Sequence, residues 1–495
     1  MRRTYITYII LCLGLILNSC DDFLDVNPDS EVVNDDLFSN AEGVEDALNG
    51  IYSSLNKENL YGKKLAWELP EVLSQDLNGP TPILYTQLAT YNYNDASTFI
   101  NSLWKDMYQT IGYTNNVILN LEEKNSDIFP HYDLYLGEAY GLRGFLHFEL
   151  LRLFAPHIEN GAATAQGIPY VKTYTFEPTP FSTVSDTYDA VISDLKRAQD
   201  LLIMDEMYMT YPRADHTSDQ LQNFLKGREI HFNYYAATAA LARVYRMKGD
   251  LDDAKIEALK IINSGKFPLA SADKIVNLVA GTLSPSESIF GLYSNEYIQT
   301  TEATLFNTTS SAGFAPYQSE SGGNPLQEFR DVYNQYLNAN SGTDFRLQWF
   351  RRAFEGASMF NVLKVVDVLQ INTGIPPASR GLLPGISMIR VPEMYYIVAE
   401  AELENGNTSE ATAVLNQVLL SRGLAKLENR DPAIIPDLDF LYNERHKELF
   451  SEGQRWFDMK KRHMDIISNE ELKIIPASDK IYVLPIPTEE FELRQ

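Results

Sequence analysis

Residues 231–269, HFNYYAATAALARVYRMKGDLDDAKIEALKIINSGKFPL, constrain the fold more than any other stretch of this chain. Ala236, Ala239, Ala240 and Ala242, completed by Val244 and Tyr245, recur at close to helical spacing. Gly249-Asp250 breaks that helix. A second follows over about 251–263, with Leu251, Ala254, Ala258 and Ile262 on one face, and Ser264-Gly265 stops it. A turn this short makes the two helices antiparallel neighbours, and their small side chains allow a close approach. The unit recurs in 395–423, YYIVAEAELENGNTSEATAVLNQVLLSRG: an Ala-rich helix, a Gly406-Asn407 turn, and a second helix that opens on Ala411. In both copies five residues separate the turn glycine (Gly249, Gly406) from the inner alanine (Ala254, Ala411). A repeated helical hairpin predicts a mostly α fold in which stacked hairpins share one core.

The hairpin resembles the tetratricopeptide unit, although its two copies lie much further apart than the roughly 34 residues of a tandem array. With 44% apolar and 22% charged residues, the composition is that of an ordinary globular protein. A formal charge of −26 argues against nucleic acid, whose phosphates need a basic surface, and against resting on anionic lipid through basic patches. Both cysteines, Cys12 and Cys20, fall within the first twenty residues, so the rest of the chain forms neither a disulfide nor a thiolate metal cluster.

The chain opens MRRTYITYIILCLGLILNSC. Arg2 and Arg3 form a basic start, and the apolar run over 4–17 is too short for a comfortable transmembrane helix. Leu17-Asn18-Ser19-Cys20 resembles a bacterial lipobox, which implies a signal peptide over 1–19 and an acylated Cys20 as the mature N-terminus. Cleavage there removes Arg2 and Arg3 and takes the formal charge from −26 to −28. Several acyl chains anchor a protein stably, since about two suffice. Asp21, Asp22 and Asp25 make 20–36 an acidic tether.

The periodicity then predicts helices over 37–55 (Val44, Leu48, Ile51 and Leu55 inward), 98–123 (with Trp104 in the core), 132–154 and 185–204. His147, close to Glu149, reads as a satisfied structural histidine rather than an acid–base catalyst. An extended piece is expected at 167–171, a strand at 364–372 and another extended piece at 480–487. Two stretches, roughly 57–97 and 270–390, lack clear periodicity; loops that long are usually functional or hold further elements.

Residues 440–461, FLYNERHKELFSEGQRWFDMKK, contain Glu444-Arg445, Glu448-Leu449 and Glu452-Gly453-Gln454-Arg455-Trp456-Phe457-Asp458. These resemble the C-terminal signature of SusD/RagB-like surface lipoproteins. So do the closing Leu484-Pro485-Ile486-Pro487 with Glu489-Glu490, Leu142-Arg143-Gly144-Phe145 leading to Leu153-Phe154, Gly167-Ile168-Pro169, the 390–423 unit and the lipobox. The resemblance spans nearly the whole chain, which ends at Gln495 without the Asn-Pro-rich tail many members carry. It implies a single SusD-like helical domain over 37–495, with four tetratricopeptide-like hairpins supporting a loop-rich ligand face and a few short strands. It also implies a non-catalytic, surface-exposed outer-membrane lipoprotein. Such a protein captures oligosaccharides, or peptides in RagB-like members, for a partner SusC-like TonB-dependent transporter. Asp21 and Asp22 fit the surface exposure seen in that group. On physical grounds Glu444, Arg445, Glu448, Arg455 and Asp458 read as an ion-pair network that locks the last helices to the scaffold, because buried charges need such partners.

There is no HExxH, GxSxG, Walker A or GxGxxG motif, and no cofactor or metal site is expected. A helical glycoside hydrolase or a pure protein-interaction scaffold are the alternative classes. A glycosidase needs two carboxylates about 5–9.5 Å apart across a cleft, which sequence does not give. Sugar capture needs aromatic platforms with amide and carboxylate partners on loops held by a rigid scaffold. Two stretches have that composition: Asn78, Tyr85, Tyr91, Tyr93 and Asp95 in the first, and Tyr293, Tyr297 and Tyr317 in the second, with Trp67 a weaker candidate.

Overall fold

Helix α1, Ala41–Leu55, starts where the Asn40 side chain accepts the Gly43 amide, and it buries Val44, Leu48, Ile51 and Leu55, the face expected from the sequence. It belongs to a computed structural model that describes most of residues 34–494, leaving aside chiefly 79–82, 210–223, 353–359 and the greater part of 272–285 and 296–334. Cys20 and the tether up to residue 33 lie outside the described residues, as does Tyr317. Among the described residues no helix is long and apolar enough to cross a membrane.

Helix α2, Ser97–Glu123, packs along α1 and carries Trp104 into the core. Helix α3, Tyr132–Phe154, is the central rod: every residue from Leu134 to Phe154 except Tyr140 is buried. A helix buried on all sides belongs in the middle of a protein, and α3 lies between α2 and α4, Val184–Leu201, with its buried charges paired. Three glycines permit the contact. A Cβ at Gly141 would lie 2.3 Å from the Phe232 ring, and Gly137 and Gly144 face Leu202 and Leu195. His147 is structural, as expected. Its Nδ1 meets the Arg143 carbonyl at 2.9 Å, its Nε2 accepts the Val171 amide at 3.0 Å, and burial lowers its pKa to about 3.

The repeated hairpins are α5, Tyr234–Lys248, with α6, Leu251–Asn263, and α7, Val391–Glu404, with α8, Thr408–Ser421. Gly249 (φ 93°) and Gly406 (φ 76°) adopt the left-handed conformation that ends the first helix of each pair, which favours glycine at both turns. Helix α6 packs directly on α7. The two copies are therefore adjacent in space, and the described residues between them form an insertion without a further helical hairpin of this kind. The inner face of α6 is Ala254, Ala258 and Ile261; Ile262, expected there, is only half-buried.

Within that insertion a three-stranded antiparallel sheet runs in the order β1, β3, β2, where β1 is Thr282–Leu283, β2 is Ser288–Tyr293 and β3 is Leu383–Arg390. The expected extended piece at 167–171 is present as Gln166–Pro169, paired with Phe181–Thr183. The strand expected over 364–372 is not. Val368–Thr373 is a short helix whose first turn is capped by the Asp367 carboxylate. Lys364 is buried instead, donating to the carbonyls of Glu448 and Phe450 at 2.7 and 2.6 Å. A short apolar run does not separate strand from helix by period alone. At the end of the chain Asp479–Tyr482 makes one helical turn where an extended piece was expected.

Helices α9, Leu438–Leu449, and α10, Arg455–Lys461, carry the C-terminal signature. Glu448 accepts from Arg422 at 2.9 Å and from Arg390 at 3.0 Å, and both guanidiniums also reach Glu287. Glu444 pairs with Lys447 and Arg346, and Asp458 pairs with Arg445 and Arg246. Arg246 belongs to α5 and Arg422 follows α8, so the network ties the last helices to both hairpins, as expected. Arg455 differs: it is half-buried at the first turn of α10 and acts on Asp458 through its field.

Candidate functional site

Helix α1 turns one face outward at its C-terminal end. Asn49, Tyr52, Ser53 and Asn56 fall at i, i+3, i+4 and i+7, with Lys57 just beyond. Opposite them stand Ile230 and His231, ahead of α5, and Tyr293, Ser294 and Asn295, where β2 ends. Together they enclose a cleft of about 520 Å³. Asn56 ties the walls together by donating from Nδ2 to the Tyr293 carbonyl at 2.9 Å. The Tyr293 hydroxyl donates to Asn295 Oδ1 at 2.8 Å, which fixes the half-buried ring at the mouth.

Below the cleft lies a buried polar cluster. The Tyr52 hydroxyl donates to Glu138 Oε2 at 2.6 Å and accepts the Phe232 amide at 2.7 Å, and its ring meets His231 edge-on at 5.2 Å. His231 Nδ1 lies 3.2 Å from the same Glu138 oxygen. Arg228 joins Glu138 to Asp205. Burial alone would raise the Glu138 carboxyl, but Arg228 and then His231 outweigh it and hold its pKa at about 2. Burial, followed by the Glu138 charge, pushes the Tyr52 hydroxyl well above its usual range. The floor of the cleft is thus fixed by paired charges, and its surface is aromatic, amide and hydroxyl. Such a surface suits polar, ring-bearing ligands.

Of the residues picked out from the sequence, the structure brings Tyr293 to this cleft, together with Asn295. The first loop's tyrosines lie elsewhere, and here the expectation is corrected. Tyr91 and Tyr93 are 6% exposed. Tyr91 stacks on Trp456 and donates to the Leu73 carbonyl, while Tyr93 donates to the Ile481 carbonyl at 2.6 Å. They bolt the loop to the C-terminal segment. Tyr85 is buried beside Lys64, Tyr297 is 2% exposed, and Trp67 is fully enclosed. Asp95 is exposed and accepts from Asn92 Nδ2. The backbone of Asn78 pairs with Ala315, so the two loop stretches do meet, as an antiparallel pair.

The sequence reading missed Asn49, Tyr52, Ser53, Asn56, Lys57 and His231. A signal was available: an amide, an aromatic, a hydroxyl and a second amide at helical spacing form the face opposite the apolar stripe of α1. Such a face is ordinarily a solvated surface, and only the return of β2 makes it a wall.

Comparison with known proteins bears on the same architecture. Residues 22–246 match a family model described as "Starch-binding associating with outer membrane", and residues 357–493 match the model of the "SusD family". SusD-like protein P2 of Formosa agariphila is 24% identical over 536 aligned residues, covering 98% of this chain and 97% of that protein. SusD-like protein P38 of the same organism is 25% identical over 92% of this chain and 91% of its own length. Among solved structures, a SusD superfamily protein from Bacteroides thetaiotaomicron shares the fold with a TM-score of 0.70 at 23% identity, covering 92% of this chain and 98% of that one. A SusD-like carbohydrate binding protein from Bacteroides vulgatus does so with a TM-score of 0.69 at 18% identity, covering 92% and 96%. The matched segments contain α1 to α4 and most of α5 on one side and α7 to α10 on the other, with the signature network closing between them, and across both the chain is similar to the SusD family.

Proposed function

We propose that this protein captures oligosaccharides at the cleft between α1 and β2 and passes them to a SusC-like TonB-dependent transporter, held at the outer membrane by acylated Cys20 and facing the cell exterior. The observation that carries the reading is the cleft itself: about 520 Å³ lined by Tyr52, His231 and Tyr293 among five amide and hydroxyl side chains on or just past α1 and β2, on a floor locked by Glu138 and Arg228. A sugar ring offers a flat C–H face to an aromatic ring and a rim of hydroxyls to amides. The role is binding rather than turnover. Glycoside hydrolysis needs two carboxylates flanking the bond, and the cleft lining among the described residues consists of other side chains. The family descriptions and the carbohydrate-binding relative support the same class of ligand.

A glycan array run beside a peptide panel on the soluble chain starting after Asp25 tests this. Oligosaccharide binding with no peptide binding is the expected result; peptide binding alone would replace the sugar reading with a RagB-like one. Recovery of a barrel protein with the full-length chain after gentle detergent extraction tests the transporter pairing, and repeated recovery of this protein alone counts against it.

A further inference from the structure

The charge of the cleft lining narrows the class of glycan, an inference that rests on the reading just given. The chain carries 67 Asp and Glu against 41 Lys and Arg. The described lining nevertheless contains no carboxylate, and Lys57 is its one side chain with a permanent charge. Lys57 is exposed just past the end of α1 and has no ion-pair partner among the described residues. Glu58, next to Lys57 in sequence, pairs with Lys63 at 3.2 Å, and the two carboxylates of the cluster below the cleft are committed elsewhere. Glu138 is completely buried, accepts from Tyr52 and Arg228 and faces His231, and Asp205 is buried against Arg228.

The lining is therefore rich in donors. Lys57 Nζ offers three. Asn295 has its Oδ1 occupied by Tyr293, which leaves its NH₂ as the free end. Asn49, Ser53 and Ser294 add amide and hydroxyl groups that donate as well as accept, and Asn56, with its Nδ2 bound to the Tyr293 carbonyl, adds an Oδ1 acceptor. A neutral sugar brings hydroxyl donors of its own and is best met by carboxylate acceptors, the strongest acceptors a side chain supplies. A carboxylate or sulfate ester on a sugar only accepts, and it forms the stronger, charge-assisted bonds with a cation. The negative charge of the whole chain does not override this, because charges beyond about 8 Å are largely screened at physiological salt. We propose that the cleft binds acidic oligosaccharides, with a uronate carboxylate or a sulfate ester seated at Lys57 and a sugar ring against Tyr293.

The test is an array of neutral, uronate-containing and sulfated glycans, probed with the soluble chain starting after Asp25. Binding is expected on anionic glycans, and the uronate and sulfate arms decide which group is read. For the strongest anionic binder, Lys57→Ala should lower affinity about fivefold or more, the scale of one partly exposed ion contact. Lys57→Arg should retain most of it, and methyl esterification or desulfation of the glycan should match the effect of Lys57→Ala. Lys57 is exposed, so folding is unaffected and a melting curve verifies it. No anionic glycan bound, or anionic binding indifferent to Lys57→Ala, overturns the inference. Binding confined to neutral glycans and abolished by Tyr293→Ala leaves the cleft standing with the wrong ligand class. Binding indifferent to Tyr293→Ala removes the cleft reading itself.

Discussion

Glu448 shares two buried guanidiniums with Glu287, so removing it leaves Arg422 with Glu287 alone and Arg390 with Glu287 and Glu452. Truncating one partner of a buried ion network costs about 3–5 kcal/mol, because the remaining charge stays desolvated. Glu448→Ala should lose that much in urea unfolding; a loss below about 1 kcal/mol would mean that the network does not hold the C-terminal helices. The same network sets an acid limit. Burial would raise Glu444, but Lys447 and Arg346 hold its pKa at about 2, where Glu138 also lies. Both folded values fall below the unfolded carboxylate value of about 4.3. Their contribution to stability is present above that pH and is lost as pH falls from about 4.3 towards 2. The melting temperature should decline across that window, and a flat profile from pH 5 to 2.5 would contradict the assignment. At this scale the sequence was readable where residue type fixes behaviour: of the five charged residues expected to form a network, Glu444, Arg445, Glu448 and Asp458 are buried and paired in it, and Arg455 alone stays half-buried beside it. It was unreadable for the tyrosines. A tyrosine among Asn and Asp has the same composition whether its ring faces solvent or, like Tyr91, stacks on Trp456 with its hydroxyl bonded to a carbonyl.

Elements were legible in proportion to their period. Helices α1, α2, α4 and α6 each leave one apolar face that recurs at helical spacing, and the turn glycines mark the hairpins. Helix α3 is buried all round, and what distinguishes it is the run Gly137, Gly141 and Gly144 facing α4 and Phe232. Gly141→Ala tests how tightly that contact is made. Alanine gains about 1 kcal/mol in intrinsic helix propensity, but its Cβ would sit 2.3 Å from two Phe232 ring atoms, far inside contact distance. Overpacking of this kind costs about 1–3 kcal/mol, so the variant should be less stable in thermal unfolding. A more stable variant would show that α3 and Phe232 separate freely. The strand expected at 364–372 failed because Asp367 is a helix cap, and a cap declares itself only once the backbone turns. The cleft failed for a related reason: its walls are α1 and the end of β2, which the Asn56 to Tyr293 bond joins between residues far apart in sequence.

For the whole molecule, the anchor and the cleft make separate demands. Cys20→Ala should release the protein from the membrane fraction while leaving its fold and glycan binding intact; a mature chain whose intact mass shows no lipid at Cys20 would remove the anchor from the account. The stacked hairpins and the signature network exist, on this reading, to hold the α1 and β2 walls of one cleft in fixed relation. That claim is tested most directly by isothermal titration of the oligosaccharide found on the array against three forms of the soluble chain: unaltered, Asn56→Ala with Tyr293→Ala, and Tyr93→Phe. Truncating an aromatic anchor together with the amide that positions it should weaken binding by about 2 kcal/mol or more. Tyr93→Phe removes one buried hydroxyl bond, worth about 1 kcal/mol of stability, and should leave affinity unchanged. Equal affinity for the double variant and the unaltered chain, or a loss confined to Tyr93→Phe, would place the capture site elsewhere.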